Sequence, residues 1–441
     1  MSDQTNENGI IAFHEKSISV EGSVQRLPGV IQWWLCIYAF FLAFPALSIV
    51  GINITFFIFF LILIIHGKNQ IPIITRDKTN KWFILLFLTG TVSTLFHPQL
   101  DIEVSILEDI KTISQYFYWI LLAMYIRSNF YLIDWWRFSR SLFWGLVALV
   151  AGFYFIPIKV DLAILVINFD SSRNGFIYTL LCLFPMVFWY LRYSTLKRIS
   201  PVILVLLIMS IIISNGRAGF ILIVIQSLLI GFLIYPSFGR LFKIGLIALM
   251  VLFVVWQINP VSKLNLTIAQ TIKKINPRTS AMITKEGTEG NLATDKSWLL
   301  RKLMVDKTVE IVKEYPLLGI GWMHFEKYYA KLKTLDKYER LSSQSNEYLN
   351  TRSSHNSYAM YIAESGIIGF FLLLWILVIT LLPFFKKLFR NELSIINLPL
   401  IAMITLAIYF YVITSITGAN TWFLIGASLG CVRNFNNELW E

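Results

Sequence analysis

Hydrophobic and polar positions along this chain fall into long separate blocks. Twelve apolar runs can be marked, at approximately 30–47, 49–66, 82–96, 106–126, 139–157, 174–193, 200–215, 217–235, 241–258, 356–383, 395–416 and 419–433. A helix needs about 20 apolar residues to cross ~30 Å of hydrocarbon. The runs are continuously apolar, which favours helices over the alternating strands of a barrel. The pattern predicts an all-α polytopic membrane protein with about 12 transmembrane helices. Residues 1–29 read as a disordered cytoplasmic tail without a signal-peptide pattern. Residues 30–258 carry helices one to nine, 259–355 form one large loop, 356–433 carry the last three helices, and 434–441 form a second cytoplasmic tail.

Composition agrees with this reading. The 441 residues are 56% hydrophobic and 15% charged, against roughly 25% charged in a soluble domain. The net charge of +12 would point to nucleic acid in a soluble chain. Here the basic residues punctuate the helices instead, so no nucleic-acid partner is expected. With the N-terminus inside, Lys68, Arg76, Lys78 and Lys81, then Arg127, Arg137 and Arg140, Arg192, Lys197 and Arg198, Arg240 and Lys243, and Lys386, Lys387 and Arg390 all fall in cytoplasmic loops. That asymmetry is the positive-inside rule, and it puts the long loop outside, in the periplasm or its equivalent. The three cysteines, Cys36, Cys182 and Cys431, lie in or beside apolar spans, so the loop has no disulfide framework and no cysteine metal site.

The loop has internal order. Residues 263–292 read as coil. Trp298 to Glu314 reads as a helix whose apolar stripe is Leu300, Met304, Ile311 and Tyr315, joined by Leu303. Pro316 ends it. Leu317 to Trp322 is a glycine-supported apolar turn, and Phe325 to Leu335 reads as a second short helix. The stripe would lay this subdomain on the membrane surface or over the bundle.

Four groups of residues are candidates for chemistry. His355, in Ser353-Ser354-His355-Asn356-Ser357-Tyr358, lies where loop meets helix; it is either a general base or a capping residue. Arg217, at a very short hairpin, is either a snorkelling side chain or an anion ligand, because a guanidinium grips phosphate in bidentate fashion and a helix start favours anions. Arg301 is either an ordinary solvated arginine next to Lys302 or an anion ligand reaching inward toward Arg217 and His355, and the same two readings apply to Arg173, which heads another helix on the outside. Glu364 lies nine residues after His355, about 13 Å and half a turn away on one helix, and is expected to pair within the bundle or to hold the loop's basic residues rather than to be the catalytic acid. Asn356 and Glu364 are taken as supporting residues. No H-E-x-x-H, acidic Mg²⁺ cluster, P-loop or Rossmann glycine pattern is present, so no metal and no cofactor are expected. Arginines and one histidine suit a substrate that brings its own leaving group, such as a membrane-anchored diphosphate. A lipid-linked glycan transporter or flippase would also be basic and polytopic, but would more often show internal repeats and broken mid-membrane helices.

The segments Ile211 to Phe220, Trp298 to Trp322, Ser353 to Tyr358 and Glu364 to Phe370, in this order and spacing, resemble the O-antigen ligase and polymerase family. The likeness covers roughly residues 170–375. One departure is that the family's arginine hairpin often reads Ser-Arg, where this chain has Asn215-Gly216-Arg217. The resemblance implies a C-type glycosyltransferase-like fold in the bacterial inner membrane with its site facing the periplasm. It implies metal-independent, inverting transfer of a glycan from undecaprenyl diphosphate, with Arg217 and Arg301 as diphosphate ligands and His355 activating the acceptor hydroxyl. The acceptor would be lipid A core for a ligase, or another lipid-linked repeat unit for a polymerase. Ligase is the reading preferred here, with polymerase the alternative.

Overall fold

The computed structural model describes residues 27–44, 47–49, 52–95, 105–155, 159–161, 165–168, 173–213, 217–234, 270, 305–325, 328, 356–389, 397–410 and 418–433. Twelve helices are named among them: α1 Gly29–Leu42, α2 Ile54–Arg76, α3 Asn80–Leu95, α4 Ile106–Asn129, α5 Trp135–Phe155, α6 Arg173–Tyr193, α7 Ser200–Ile213, α8 Arg217–Ile234, α9 at 305–314, α10 Ser357–Phe389, α11 Leu398–Tyr409 and α12 Ala419–Arg433. Eleven of the apolar runs thus carry helices. The run at 241–258 lies outside the described residues, as do both tails and most of the loop.

The helices are built inside out for a water-soluble protein. Helix α2 exposes Phe57, Phe60, Leu61, Ile64, Ile65 and Ile71 while burying Thr55, His66 and Gln70. Helix α10 exposes Phe371, Trp375, Val378, Leu382 and Phe385 while burying Ser365 and Thr380. Contiguous apolar surface on that scale is unfavourable in water and natural against lipid. Among the described residues, two helical stretches, Gly175–Tyr193 and Ser357–Lys387, are long and apolar enough to cross a membrane. Serine and threonine hydroxyls along these helices bond back to carbonyls three or four residues earlier, as Thr380 does to Ile376 O at 2.6 Å, so they remain satisfied without water.

Two expectations are corrected. The chain is not wholly α: strands β1 Ser48–Ile49, β2 Ile52–Asn53, β3 Lys159–Asp161 and β4 Leu165–Asn168 form one antiparallel sheet in the order β2-β1-β4-β3. Ser48 pairs with both Asn53 and Val166. The β1–β2 hairpin takes the residues assigned to the start of the second apolar run. Chain leaving two adjacent helices must pair its backbone groups, and strand pairing does so. The second correction concerns α2, which continues past Lys68 and Pro72 to Arg76, because the following turn is held by protein: Arg127 forms a buried ion pair with Asp77 and donates to Asn80 Oδ1 at 3.1 Å. Arg127 is therefore no loop arginine.

Candidate functional site

Two constellations lie at the end of the bundle that carries the sheet. The first joins the loop to the helices. Helix α9 stops before Tyr315 and Pro316, and the turn that follows is threaded into a break in α10. Gly366 leaves the helical conformation, at φ 63° and ψ −172°, which frees two carbonyls and two N–H groups inside an apolar helix. The turn satisfies all four. Ile320 N donates to Ala363 O at 3.0 Å and Gly321 N to Glu364 O at 2.9 Å, while Ile367 N donates to Pro316 O at 2.8 Å and Ile368 N to Leu317 O at 3.3 Å. Gly319 and Gly321, at φ 71° and 93°, supply the left-handed residues this path needs. A Cβ on Gly366 would run into Leu317, and one on Gly319 into Ala363 O and Gly366 N.

Side chains lock the turn from two more helices. Ser93 of α3 donates to Leu318 O and lies within bonding distance of Glu364 O, at 3.0 Å. Thr94 accepts from Trp322 N at 3.1 Å. The Trp322 ring stacks on Tyr116 with centroids 3.8 Å apart and planes 8° from parallel. It lies so tightly on Gly90 that a Cβ there would sit within the indole. Met323 is left-handed at φ 60°, a costly conformation for a bulky residue. It is imposed by its neighbours, because Trp322 and His324 are both anchored.

His324 is fully buried. Its Nδ1 donates to Ile320 O at 2.8 Å, and its Nε2 is hydrogen-bonded to Asp109 Oδ1 at 2.9 Å. Glu364, also buried, accepts from Phe325 N at 3.3 Å. The sequence leads one to expect Glu364 to pair within the bundle or to hold the loop's basic residues; among the described residues it meets the loop through the Phe325 backbone. On the water side, Tyr315 and Tyr328 both donate to Glu314, at 3.0 Å and 2.7 Å. Burial first, then that carboxylate, pushes both phenols above their usual range.

The second constellation is a set of helix starts. Arg173 is the first residue of α6 and Arg217 the first of α8. These two ends touch: a Cβ on Gly219 would meet the Ile177 side chain. On another side of α6, Tyr178 bonds Thr421 in the first turn of α12 at 2.7 Å. Gln226 of α8 donates to Leu181 O of α6 at 2.9 Å and to Thr405 Oγ1 of α11 at 3.0 Å. Helix α11 runs opposite to α6, since its start at Asn397 lies beside Cys431 at the far end of α12. Phe410, five residues beyond Thr405, is therefore level with Phe176, five residues before Leu181, at about 7.5 Å of rise in each case. Phe410 O accepts from Ser357 N at 2.8 Å, so α10 begins at the same depth. Asn356 is its N-cap, accepting from Tyr358 N and Ala359 N, both at 3.0 Å. The capping role considered for His355 therefore belongs to Asn356.

Four helix N-termini thus surround the last turn of α11. Each carries about half a positive charge, and none has an acidic residue in its first turn. By contrast, α4 opens with Glu108 and Asp109. An arginine at a helix start opposes the macrodipole, and two such starts side by side concentrate positive potential that an anion would relieve. Asn356 and the backbone starts at Arg173 and Arg217 are brought together here; Glu364 lies two turns down α10 beside the loop. His355 and Arg301 lie outside the described residues. Of the loop stripe, Ile311 is buried and Tyr315 half-buried, alongside Lys307 and Thr308, while Leu300, Leu303 and Met304 lie outside the described residues.

Sequence reasoning passed over Asp109, and it left His324 without a role. Asp109 reads as an ordinary acidic residue in a helix's first turn, and nothing local marks its partner in the loop. Asn420 was also overlooked, because a single amide in an apolar run has no pattern to reveal it. No curated protein matches the chain. Residues 202–374, from Val202 in α7 to Leu374 in α10 and including Arg217, Arg301 and His355, match the family model described as O-Antigen ligase, so this part of the chain is similar to that family.

Proposed function

We propose that the protein is a metal-independent glycosyltransferase of the inner membrane that moves a glycan from undecaprenyl diphosphate to an acceptor hydroxyl on the periplasmic side, acting as an O-antigen ligase on lipid A core. The observation that supports this reading is that the backbone starts of α6 at Arg173 and α8 at Arg217 lie at one depth with the Asn356-capped start of α10, within or beside the segment that matches the O-antigen ligase family model. The arginines and helix starts would hold the diphosphate, with Arg301 joining them from the loop, and would stabilise the charge that grows on it as it leaves. His355, next to Asn356, would take the proton from the acceptor hydroxyl. The acceptor oxygen forms a bond to the anomeric carbon as the bond from that carbon to the phosphate oxygen breaks. Undecaprenyl diphosphate leaves, and the anomeric centre inverts.

The test is a lipopolysaccharide gel of a deletion strain. Loss of long chains with free lipid-linked polymer accumulating is the expected result. Core carrying a single repeat unit would replace the ligase reading with a polymerase. Unchanged lipopolysaccharide and unchanged lipid-linked pools would overturn both.

A further inference from the structure

Asn420 lies in the first turn of α12, one residue from the Thr421 that bonds Tyr178. Its side chain is 2% exposed, yet among the described residues neither Oδ1 nor Nδ2 has a hydrogen-bond partner. A buried amide with both ends open is costly to the fold, and an apolar residue of similar size would fill the position without that cost. The position is also one of the four clustered helix starts, level with Arg173 and Arg217. It lies outside the segment that matches the family.

The chemistry of the open ends selects a ligand class. A phosphate offers only acceptors at its ionised oxygens and would satisfy Nδ2 while leaving Oδ1 bare. A polyprenyl tail offers neither donor nor acceptor. A saccharide hydroxyl both donates and accepts, so one hydroxyl or two adjacent ones complete the amide. We infer that Asn420 is a donor-binding residue that holds a hydroxyl of the sugar next to the diphosphate, and so reads the glycan end of the lipid-linked donor. The inference rests on the donor reading given above.

The test uses the full-length protein in lipid nanodiscs and two probes: undecaprenyl diphosphate, and the lipid-linked glycan extracted from a strain in which the gene is deleted. Asn420→Leu is the main variant and Asn420→Ala its companion. The inference expects wild-type protein to bind the glycan-bearing lipid more tightly than the bare diphosphate. It expects Asn420→Leu to weaken the glycan-bearing lipid about tenfold, the value of one or two neutral hydrogen bonds. Binding of the bare diphosphate should be unchanged, and thermal stability equal to or above wild type. Equal weakening of both lipids would make Asn420 a phosphate contact and overturn the sugar assignment. Unaltered binding with a changed melting temperature would make it structural only. If wild type binds neither lipid, the donor reading itself fails, which separates that failure from loss of the Asn420 assignment alone.

Discussion

His324 and Asp109, 215 residues apart in the chain, meet at 2.9 Å in a buried site. One belongs to the loop and the other to the first turn of α4, so the pair ties the loop to the bundle where Trp322 stacks on Tyr116. Removing one member of a buried pair leaves the other uncompensated, at a cost of about 3 kcal/mol. His324→Ala and Asp109→Ala should each lower thermal stability in detergent by that amount. The double variant should lose clearly less than the sum. Additive losses would show that the two side chains do not support one another.

Gly366 tests the seam between loop and helix. Gly366→Ala forces a left-handed alanine and drives its Cβ into Leu317, so the turn cannot stay paired with the break in α10. Sharply reduced protein accumulation, or new protease cleavage in the loop of whatever accumulates, is expected. Gly231→Ala is the control: a Cβ there meets nothing within 4 Å, and the change should be neutral or stabilising by up to about 1 kcal/mol. Equal behaviour of the two variants would remove the turn–helix seam from the account.

Gly219 tests the juxtaposition of the arginine-bearing helix starts. Gly219→Val needs space now filled by Ile177 and should push α8 from α6. Glycan transfer should fall at least tenfold, the scale for misplaced binding groups. Adding Ile177→Ala should restore part of it. Full activity in Gly219→Val alone would mean that the spacing of Arg173 and Arg217 is immaterial.

His355→Ala should abolish transfer while leaving inserted, folded protein, as judged by detergent extraction and gel filtration. Arg217→Lys should also impair transfer, because a point charge does not replace a bidentate fork. An active His355→Ala protein would remove the general base from the mechanism, and a fully active Arg217→Lys protein would leave Arg217 as an anchor.

Chelation probes the remaining chemical alternative. Transfer by purified protein should be unaffected by EDTA. Inhibition that is reversed by added divalent cation would call for a metal-assisted step.

Among the described residues, sequence alone determined which apolar lengths carry helices, though not every helix end. A helix in lipid satisfies its own backbone, so its existence is encoded in contiguous residues. The apolar turn at Leu317 to Trp322 was legible for the same reason, since two glycines and a proline act locally. Tertiary structure decided the partnerships. That Gly366 opens α10 to receive the turn, that His324 finds Asp109, and that α6, α8, α10 and α12 begin at one level around Phe410 all depend on contacts between segments tens to hundreds of residues apart. Each contact is carried by one or two side chains with no repeating signature. The small sheet was missed on the same grounds, because its strands are two to four residues long and exist only because four helix ends emerge together.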